Sequence, residues 1–250
     1  TGADLATLTE SGHAFTVTVT DAQSGAGGVV NLNAIDAVTT GVVTATISGT
    51  GAQLATLTGT GNAYTVTVSD AQSGAGGVAN LNAIDAATTG VVTATISGTG
   101  AQLISLTGTG NAYTVTVTGS PSISNLTTID AATTGTLAYT SITDTVANLV
   151  ANAGGYVTGS VAVTVSNAAT IAQLTTIDGL TTGTVTAATI TDTVANLVAD
   201  AATNSGAGTY LPGATIVTVS NAASMSQLAS IDAATTGIVS YSAITDTAAN

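Results

Sequence analysis

The sequence contains no lysine, arginine, cysteine or tryptophan, and it has only one phenylalanine and two prolines among its 250 residues. Because nucleic-acid affinity depends on Lys and Arg neutralising phosphates, the missing cations exclude nucleic acid as a partner and remove any attraction to anionic lipid. Without cysteine, disulfides and thiolate chemistry are also excluded. No apolar run approaches the roughly 18 residues that span a bilayer, so we expect no membrane insertion.

The residues that are present favour a folded and repetitive protein. Asp and Glu number 13 and give a net charge of -13, yet only 5% of the residues are charged and 44% are hydrophobic. This composition is too apolar for a disordered acidic tail. Because aromatic residues make up only 3% of the chain, the core must consist of Ala, Val, Ile and Leu, which suits a narrow, elongated interior.

An internal repeat runs through the whole chain, marked by Ile-Asp followed five residues later by glycine, with Thr-Thr directly before that glycine. The anchor aspartates are Asp36, Asp85, Asp130, Asp178 and Asp232, at spacings of 49, 45, 48 and 54 residues. We predict a single continuous repeat array over residues 1–250, with approximate long repeats 1–49, 50–98, 99–143, 144–191 and 192–250. Because the sequence starts and stops within the pattern, we expect it to be a window of a longer chain.

Two strand signals occur in each long repeat. One alternates valine with threonine, as in residues 64–68 and 113–117, and its period of two predicts half-buried strands with Val inward and Thr outward. The other follows each anchor, as in residues 42–47 and 91–96. Successive strands are 21 to 29 residues apart, which is the length of a strand–helix solenoid coil. The predicted fold is therefore α/β, a solenoid of about ten coils with a stacked parallel sheet.

Helical segments are predicted between the strands, because apolar residues recur at every third position in residues 171–177 and 225–231. Asn167, Asp192 and Asn221 stand just before such runs and are predicted N-caps, and Thr-Thr-Gly is a predicted helix stop. Two turns of helix are marginal by themselves. An all-β right-handed solenoid, in which each long repeat forms one three-sided rung, is therefore the alternative fold.

Several phrases recur almost unchanged along the chain. They are Ile-Thr-Asp-Thr-Val-Ala-Asn-Leu at 142–149 and 190–197, Gly-Thr-Gly-Asn-Ala-Tyr-Thr-Val-Thr-Val at 59–68 and 108–117, and Leu-Asn-Ala-Ile-Asp at 32–36 and 81–85. In these phrases the chain resembles very large tandem-repeat surface proteins of cyanobacteria and some proteobacteria. The resemblance implies secretion, an extracellular or cell-surface location, and a stalk, coat or adhesin-like role.

Histidine and aspartate are the side chains best suited to catalysis or metal binding, and structural roles are predicted for those in this chain. His13 is the only histidine, and its repeat equivalents are Asn62 and Asn111, so a turn residue is predicted rather than a catalytic base. Each anchor aspartate lacks a second Asp or Glu within four residues. Because calcium takes six to eight oxygens, we predict Asx turns for these anchors rather than metal sites. N-cap roles are predicted for three further aspartates, Asp144, Asp192 and Asp246.

Rows of threonine and a set of aromatic residues complete the candidates. The rows are Thr16 with Thr18, Thr65 with Thr67, and Thr114 with Thr116. They are similar to the hydroxyl ladders of ice-binding solenoids, although threonine is also simply a good, soluble strand residue. The aromatic residues Phe15, Tyr64 and Tyr113 predict a ladder of rings that supports the array.

No position combines a nucleophile, a base and an orienting group, so we predict no enzyme and no catalytic, cofactor-binding or metal-binding residue. The predicted function is that of an extracellular structural repeat protein, which forms a stalk, coat or filament by stacking of coils. Its expected partners are neighbouring repeats of the same chain or other copies joined end to end. A calcium-associated adhesin module is the alternative, and an ice-binding solenoid is less favoured.

Overall fold

The computed structural model describes residues 1–203, 209–214 and 216–247. The chain divides into two units by its internal contacts. The first unit comprises Thr1–Gly119 and Asn125–Tyr139, and the second comprises Ser120–Ser124 and Thr140–Asn250. In both units a strand is followed by a helix, and we call this pair a coil.

In the first unit, helices of 4 and 14 residues alternate as far as residue 103, and a helix of 9 residues that begins in the second unit comes after them. Helices of 14 residues follow β2 and β5, whereas helices of only 4 residues follow β3 and β6. The elements up to Tyr139 are α1 (Gly2–Leu5), β1 (Val17–Thr18), β2 (Gln23–Ser24), α2 (Gly25–Val38), β3 (Val43–Gly49), α3 (Gly51–Leu54), β4 (Ala63–Val68), β5 (Gln72–Ser73), α4 (Gly74–Ala87), β6 (Val92–Thr99), α5 (Gly100–Leu103), β7 (Ala112–Thr118), α6 (Ile123–Ala131) and β8 (Leu137–Ala138).

The strands of the first unit form one parallel sheet in the order β1-β3-β4-β6-β7-β8, while β2 pairs with β3 and β5 pairs with β6. Each strand therefore pairs with the strand of the next coil. Val66 of β4, for example, lies between Ile47 of β3 and Val92 of β6. Parallel neighbours need a crossover connection, and the helix of each coil supplies it.

The second unit repeats the plan with helices of intermediate length. Its elements are β9 (Ser141–Asp144), α7 (Val146–Ala151), β10 (Ala162–Val165), α8 (Ile171–Asp178), β11 (Val185–Ala187), β12 (Thr189–Asp192), α9 (Val194–Thr203), a 3₁₀ turn (Leu211–Gly213), β13 (Ile216–Val219), α10 (Met225–Ala234) and β14 (Ile238–Tyr241). These strands form two parallel sheets, in the orders β11-β10-β9 and β12-β13-β14.

The core consists of aliphatic side chains from both kinds of element. Leu81 and Ile84 on one face of α4, and Val66 and Ile96 on the inward faces of their strands, have no solvent exposure. Each such side chain contributes about 1.5–3 kcal/mol when it is fully buried. Along β4, buried and exposed residues alternate, which confirms the prediction of Val inward and Thr outward.

The predicted α/β class and the parallel strands are confirmed. The all-β alternative is wrong, because the described residues form ten α-helices. Residues 51–57 and 100–106 contain only the one-turn helices α3 and α5. Capping boxes at Thr50 and Thr99 satisfy backbone groups that so short a helix leaves unpaired. The single array over residues 1–250 and its repeat boundaries stay a prediction.

Candidate functional site

The first threonine of each Thr-Thr-Gly joins its coil to the preceding one. The hydroxyl of Thr88 lies 2.9 Å from the carbonyl oxygen of Tyr64 and 3.1 Å from that of Asn62, and it accepts the N–H of Gly90 at 3.0 Å. We call this arrangement the threonine staple. It recurs in full at Thr39, Thr133 and Thr181, and at Thr235 with one carbonyl oxygen, that of Ala214. Thr88 also directly follows the end of α4, so the predicted helix stop is confirmed and has a second role.

The glycine of the same motif is required by close packing. A Cβ on Gly90 would overlap the carbonyl oxygen of Tyr64, and a Cβ on Gly183 would overlap that of Val161. Neither glycine has a positive φ. The position therefore excludes side chains because the preceding coil's backbone lies against it, and not because of an unusual backbone conformation.

Two buried asparagines tie the end of a long helix to the coil that follows. Asn62 donates from Nδ2 to Asp36 Oδ1 at 2.7 Å, and its Oδ1 accepts the N–H of Val43 at 2.9 Å. Asn111 makes the same two bonds to Asp85 at 2.6 Å and to Val92 at 2.9 Å. We call this arrangement the asparagine clamp.

The clamp corrects the prediction of Asx turns for the anchor aspartates. Asp36 and Asp85 lie inside α2 and α4, and the bond that each carboxylate makes goes to an asparagine 26 residues further along the chain. A backbone inside a helix cannot form an Asx turn, because its N–H groups already bond within the helix. Asp130, Asp178 and Asp232 likewise lie in helices, in α6, α8 and α10.

A missing side chain at Gly59 makes room for the clamp. A Cβ there would overlap Nδ2 of Asn62 and would lie 2.7 Å from the Asp36 carboxylate, and Gly108 is related in the same way to Asn111 and Asp85. The sequence does carry a signal for this cluster, since asparagine follows the anchor aspartate at a fixed distance in two repeats. Periodicity alone could not show that these side chains touch.

Tyr64 and Tyr113 lie next to the clamps and are almost completely buried. Burial raises the pKa of each phenol well above its usual range, and the negative charge of Asp36 or Asp85 raises it further. Each tyrosine pairs across the sheet with an alanine, Tyr64 with Ala45 and Tyr113 with Ala94. A large side chain thus fills the space that a small neighbour leaves.

The first repeat lacks this buried arrangement. Phe15 is 48% exposed and stacks on His13, whose ring centroid lies 5.1 Å away. His13 is exposed, and its carbonyl oxygen accepts the N–H of Thr40 at 2.9 Å. The predicted role of His13 as a turn residue equivalent to Asn62 fits the matching bridges of His13 to Thr39 and of Asn62 to Thr88. The predicted aromatic ladder is wrong, because β6 separates β4 from β7 and the rings of Tyr64 and Tyr113 are not on adjacent strands.

The second unit joins its coils by side chains that cap the preceding helix. Asp144 accepts the N–H of Ile123 with Oδ2 at 2.9 Å, and its Oδ1 accepts bonds from Thr145 and Asn148. We call this contact a bridging cap. The bridging caps of this unit are Asp144 to Ile123, Asn167 to Val146, Asp192 to Ile171, Asn221 to Val194 and Asp246 to Met225.

The bridging caps correct the predicted N-caps. The predicted residues do cap helices, but the helix that each caps belongs to the preceding coil. The helix predicted to follow Asp246 lies outside the described residues. The N-cap residues that belong to the following helices are Thr145, Thr170 and Ser224. The first unit has two bridging caps, in which Asp21 accepts from Gly2 and Asp70 from Gly51, both at 2.7 Å.

A groove of about 370 Å³ lies beside the first clamp, and its lining includes Asp36, Thr40, Val42, Thr60 and Asn62. Asp36 is the one carboxylate in that lining, whereas a calcium site usually has several. Across residues 1–203, 209–214 and 216–247, no three His, Asp or Glu side chains lie close enough together to hold a metal ion. The lining of this groove therefore lacks the several carboxylates of a usual calcium site.

The threonine rows lie on the outward face of the sheet, where Thr65, Thr67, Thr114 and Thr116 are exposed. Of the helices in the described part of the chain, none is both long enough and apolar enough to cross a membrane. No protein-family model matches the chain, no curated protein matches its sequence, and no solved structure matches its fold.

Proposed function

We propose that the chain is an extracellular structural repeat protein that forms a stalk, coat or filament. In this proposal its coils, about ten in number, continue as a strand–helix solenoid and stack on one another in a single array. Neighbouring repeats, or other copies joined end to end, are the partners. Stability in such an array is a sum over coils and over the contacts between adjacent coils.

One observation carries this proposal: the polar side chains that could have formed a reactive site bond one coil to the next. Asn62, Thr88 and Asp144 each bond to a residue at least 19 positions away along the chain. A catalytic group needs a free polar atom directed at a substrate. Side chains whose polar atoms form hydrogen bonds between coils stabilise the stack of coils instead.

The repetition of these contacts supports a structural role as well. Among the described residues the staple threonine bonds to the preceding coil at five positions and the bridging cap occurs at seven, so no copy is unique. The complete absence of Lys and Arg removes every site at which trypsin-like proteases cleave, which is useful outside a cell. The resemblance to tandem-repeat surface proteins points to the same location.

Electron microscopy of cells that produce the chain, with antibody labelling, tests the proposal. We expect labelled fibres or a surface lattice whose repeat matches stacked coils. Expression of Gly90→Val, which disturbs the contact between coils, should reduce the fibres, whereas Gly76→Ala should leave them intact because Gly76 faces open space. Dispersed monomers with saturable binding of one small molecule would overturn the proposal.

A further inference from the structure

The outward face of the first unit's sheet is exposed to solvent and carries no charged side chain. We call it the threonine face and define it as the outward-pointing positions of β3, β4, β6 and β7. Six of these positions are Thr46, Thr65, Thr67, Thr93, Thr95 and Thr114, and all six are exposed. No outward-pointing position of these four strands carries a charged residue.

The register of the sheet places these threonines side by side. Thr46 is opposite Thr65 and Thr67 is opposite Thr93 in the parallel ladder. Neighbouring strands lie about 4.8 Å apart, so the side chains form a close-set surface of methyl and hydroxyl groups. Val42 and Val91, which directly precede β3 and β6, add two aliphatic side chains that are 45% and 47% exposed.

The charge of the chain determines which surfaces of two copies can meet. With 13 acidic residues and no Lys or Arg, a contact through most other surfaces would bring carboxylates together without a cation to pair with them. Like charges placed opposite each other strongly disfavour association. Asp21 and Asp70 lie outside the strands of this face, in the bends that follow β1 and β4.

We propose that the threonine face is a docking surface for a second copy of this chain, packed sheet against sheet. β-Branched side chains on flat sheets interdigitate well, and facing sheets pack about 10 Å apart. The four strands cover roughly 400–600 Å² per copy, which is less than the roughly 800 Å² per partner of a standard interface. The contact is therefore weak for one pair and becomes strong when many copies align along a filament.

The use of this contact in a coat or bundle rests on the proposed structural role. The contact itself can be measured separately, in solution. Sedimentation equilibrium of the 250-residue chain should show reversible self-association that increases with protein concentration. Added salt should strengthen it, because screening weakens the repulsion between the remaining carboxylates. A chain that stays monomeric at every concentration and salt level would overturn the proposal.

A matched pair of double variants locates the contact. Thr67→Glu with Thr116→Glu adds two charges to the threonine face, whereas Ala52→Glu with Ala101→Glu adds two charges to exposed positions of α3 and α5. We expect the first pair to lower the association constant about tenfold or more and the second to change it little. Equal losses in both would overturn the proposal.

An uncharged double variant provides a second test in case the glutamate substitutions prevent folding. Thr67→Val with Thr116→Val preserves the branched shape and the strand propensity, so we expect association to become several-fold stronger. Weaker association in this variant would contradict the proposal, as would a monomeric protein that shapes ice crystals. Single fibres of Thr67→Glu with Thr116→Glu that no longer bundle side by side would support both proposals, whereas bundles that persist in this variant would overturn the docking surface alone.

Discussion

The two units solve the same problem in different ways. Every coil must satisfy the backbone N–H groups at the start of its helix and must also be fixed to its neighbour. In the second unit, one bridging cap does both for each of the five helices that begin there, α6 to α10. In the first unit, bridging caps serve only the one-turn helices α1 and α3, and no side chain caps the long helices at Ser24 or Ser73.

In the first unit, the long helices are fixed to the neighbouring coil at their C-terminal ends instead. There the asparagine clamp joins the last turn of α2 or α4 to the next coil, beside a buried tyrosine. Because the clamp occurs once in every two coils, the sequence of this unit repeats after 49 residues. Where each coil carries its own cap, as in the second unit, Asp and Asn alternate at about half that distance. Because Asp and Asn alternate, the sequence of the second unit also repeats only after two coils, as residues 142–149 and 190–197 show.

The glycine of the staple, which both units share, should give the largest effect. Gly90→Val in the first unit and Gly183→Val in the second each force a side chain against a backbone carbonyl that cannot move aside. We expect each to lower the free energy of unfolding by about 3 kcal/mol or more. Chemical denaturation with hydrogen exchange resolved by unit measures both losses.

Gly76→Ala is the control for this pair, because Gly76 lies in α4 and a Cβ there meets no atom. Alanine favours the helix by about 0.5–1 kcal/mol over glycine, so this variant should be slightly more stable than the parent. Valine variants as stable as the parent would show that the close contact is absent.

The asparagine clamp of the first unit should contribute more to the free energy of unfolding than a bridging cap of the second unit. Asn62→Ala leaves a buried N–H of Val43 and the Asp36 carboxylate without their partner, and we expect a loss of about 2–3 kcal/mol. Asn167 is exposed and caps Val146 alone, so Asn167→Ala should cost about 1 kcal/mol. Urea titration of the two variants gives the ratio, and equal losses would mean that burial of the clamp adds nothing.

Alkaline pH should affect the first unit through its two buried tyrosines. The pKa of Tyr64 and of Tyr113 is raised in the folded state, first by burial and then by Asp36 or Asp85. A raised pKa stabilises the fold fully below the unfolded value of about 10, and this stability is lost as pH increases from there toward the folded pKa. Tyr64→Phe with Tyr113→Phe should therefore flatten the decline of melting temperature above about pH 10. A decline of the same steepness in the double variant would contradict the assignment.

The smallest expected effect is that of a metal chelator. In the described residues the carboxylates do not gather in groups that could hold calcium, and the groove beside Asp36 offers a single one. We expect EDTA to leave the melting temperature of both units unchanged, as measured by calorimetry with and without added calcium. A fall of many degrees would revive the alternative of a calcium-associated adhesin module.

The local pattern of the sequence was sufficient to predict several of the strands and helices. Alternation of Val and Thr predicts the strand 64–68, and apolar residues at every third position predict the helix 171–177, because each pattern reflects which side of its own element is buried. The repeat spacing predicts parallel strands joined by helices. These features depend on residues that are close along the chain, so a single sequence contains them.

The tertiary structure alone decided which polar side chains meet. Asp144 and Asp192 were predicted to cap the helix that follows, yet they cap the helix before, 21 residues back along the chain. Asp36 was predicted to bond its own backbone, yet it bonds Asn62. The reason is that the register between adjacent coils determines which donor a side chain faces. That register results from the packing of whole coils, which no local pattern of residues encodes.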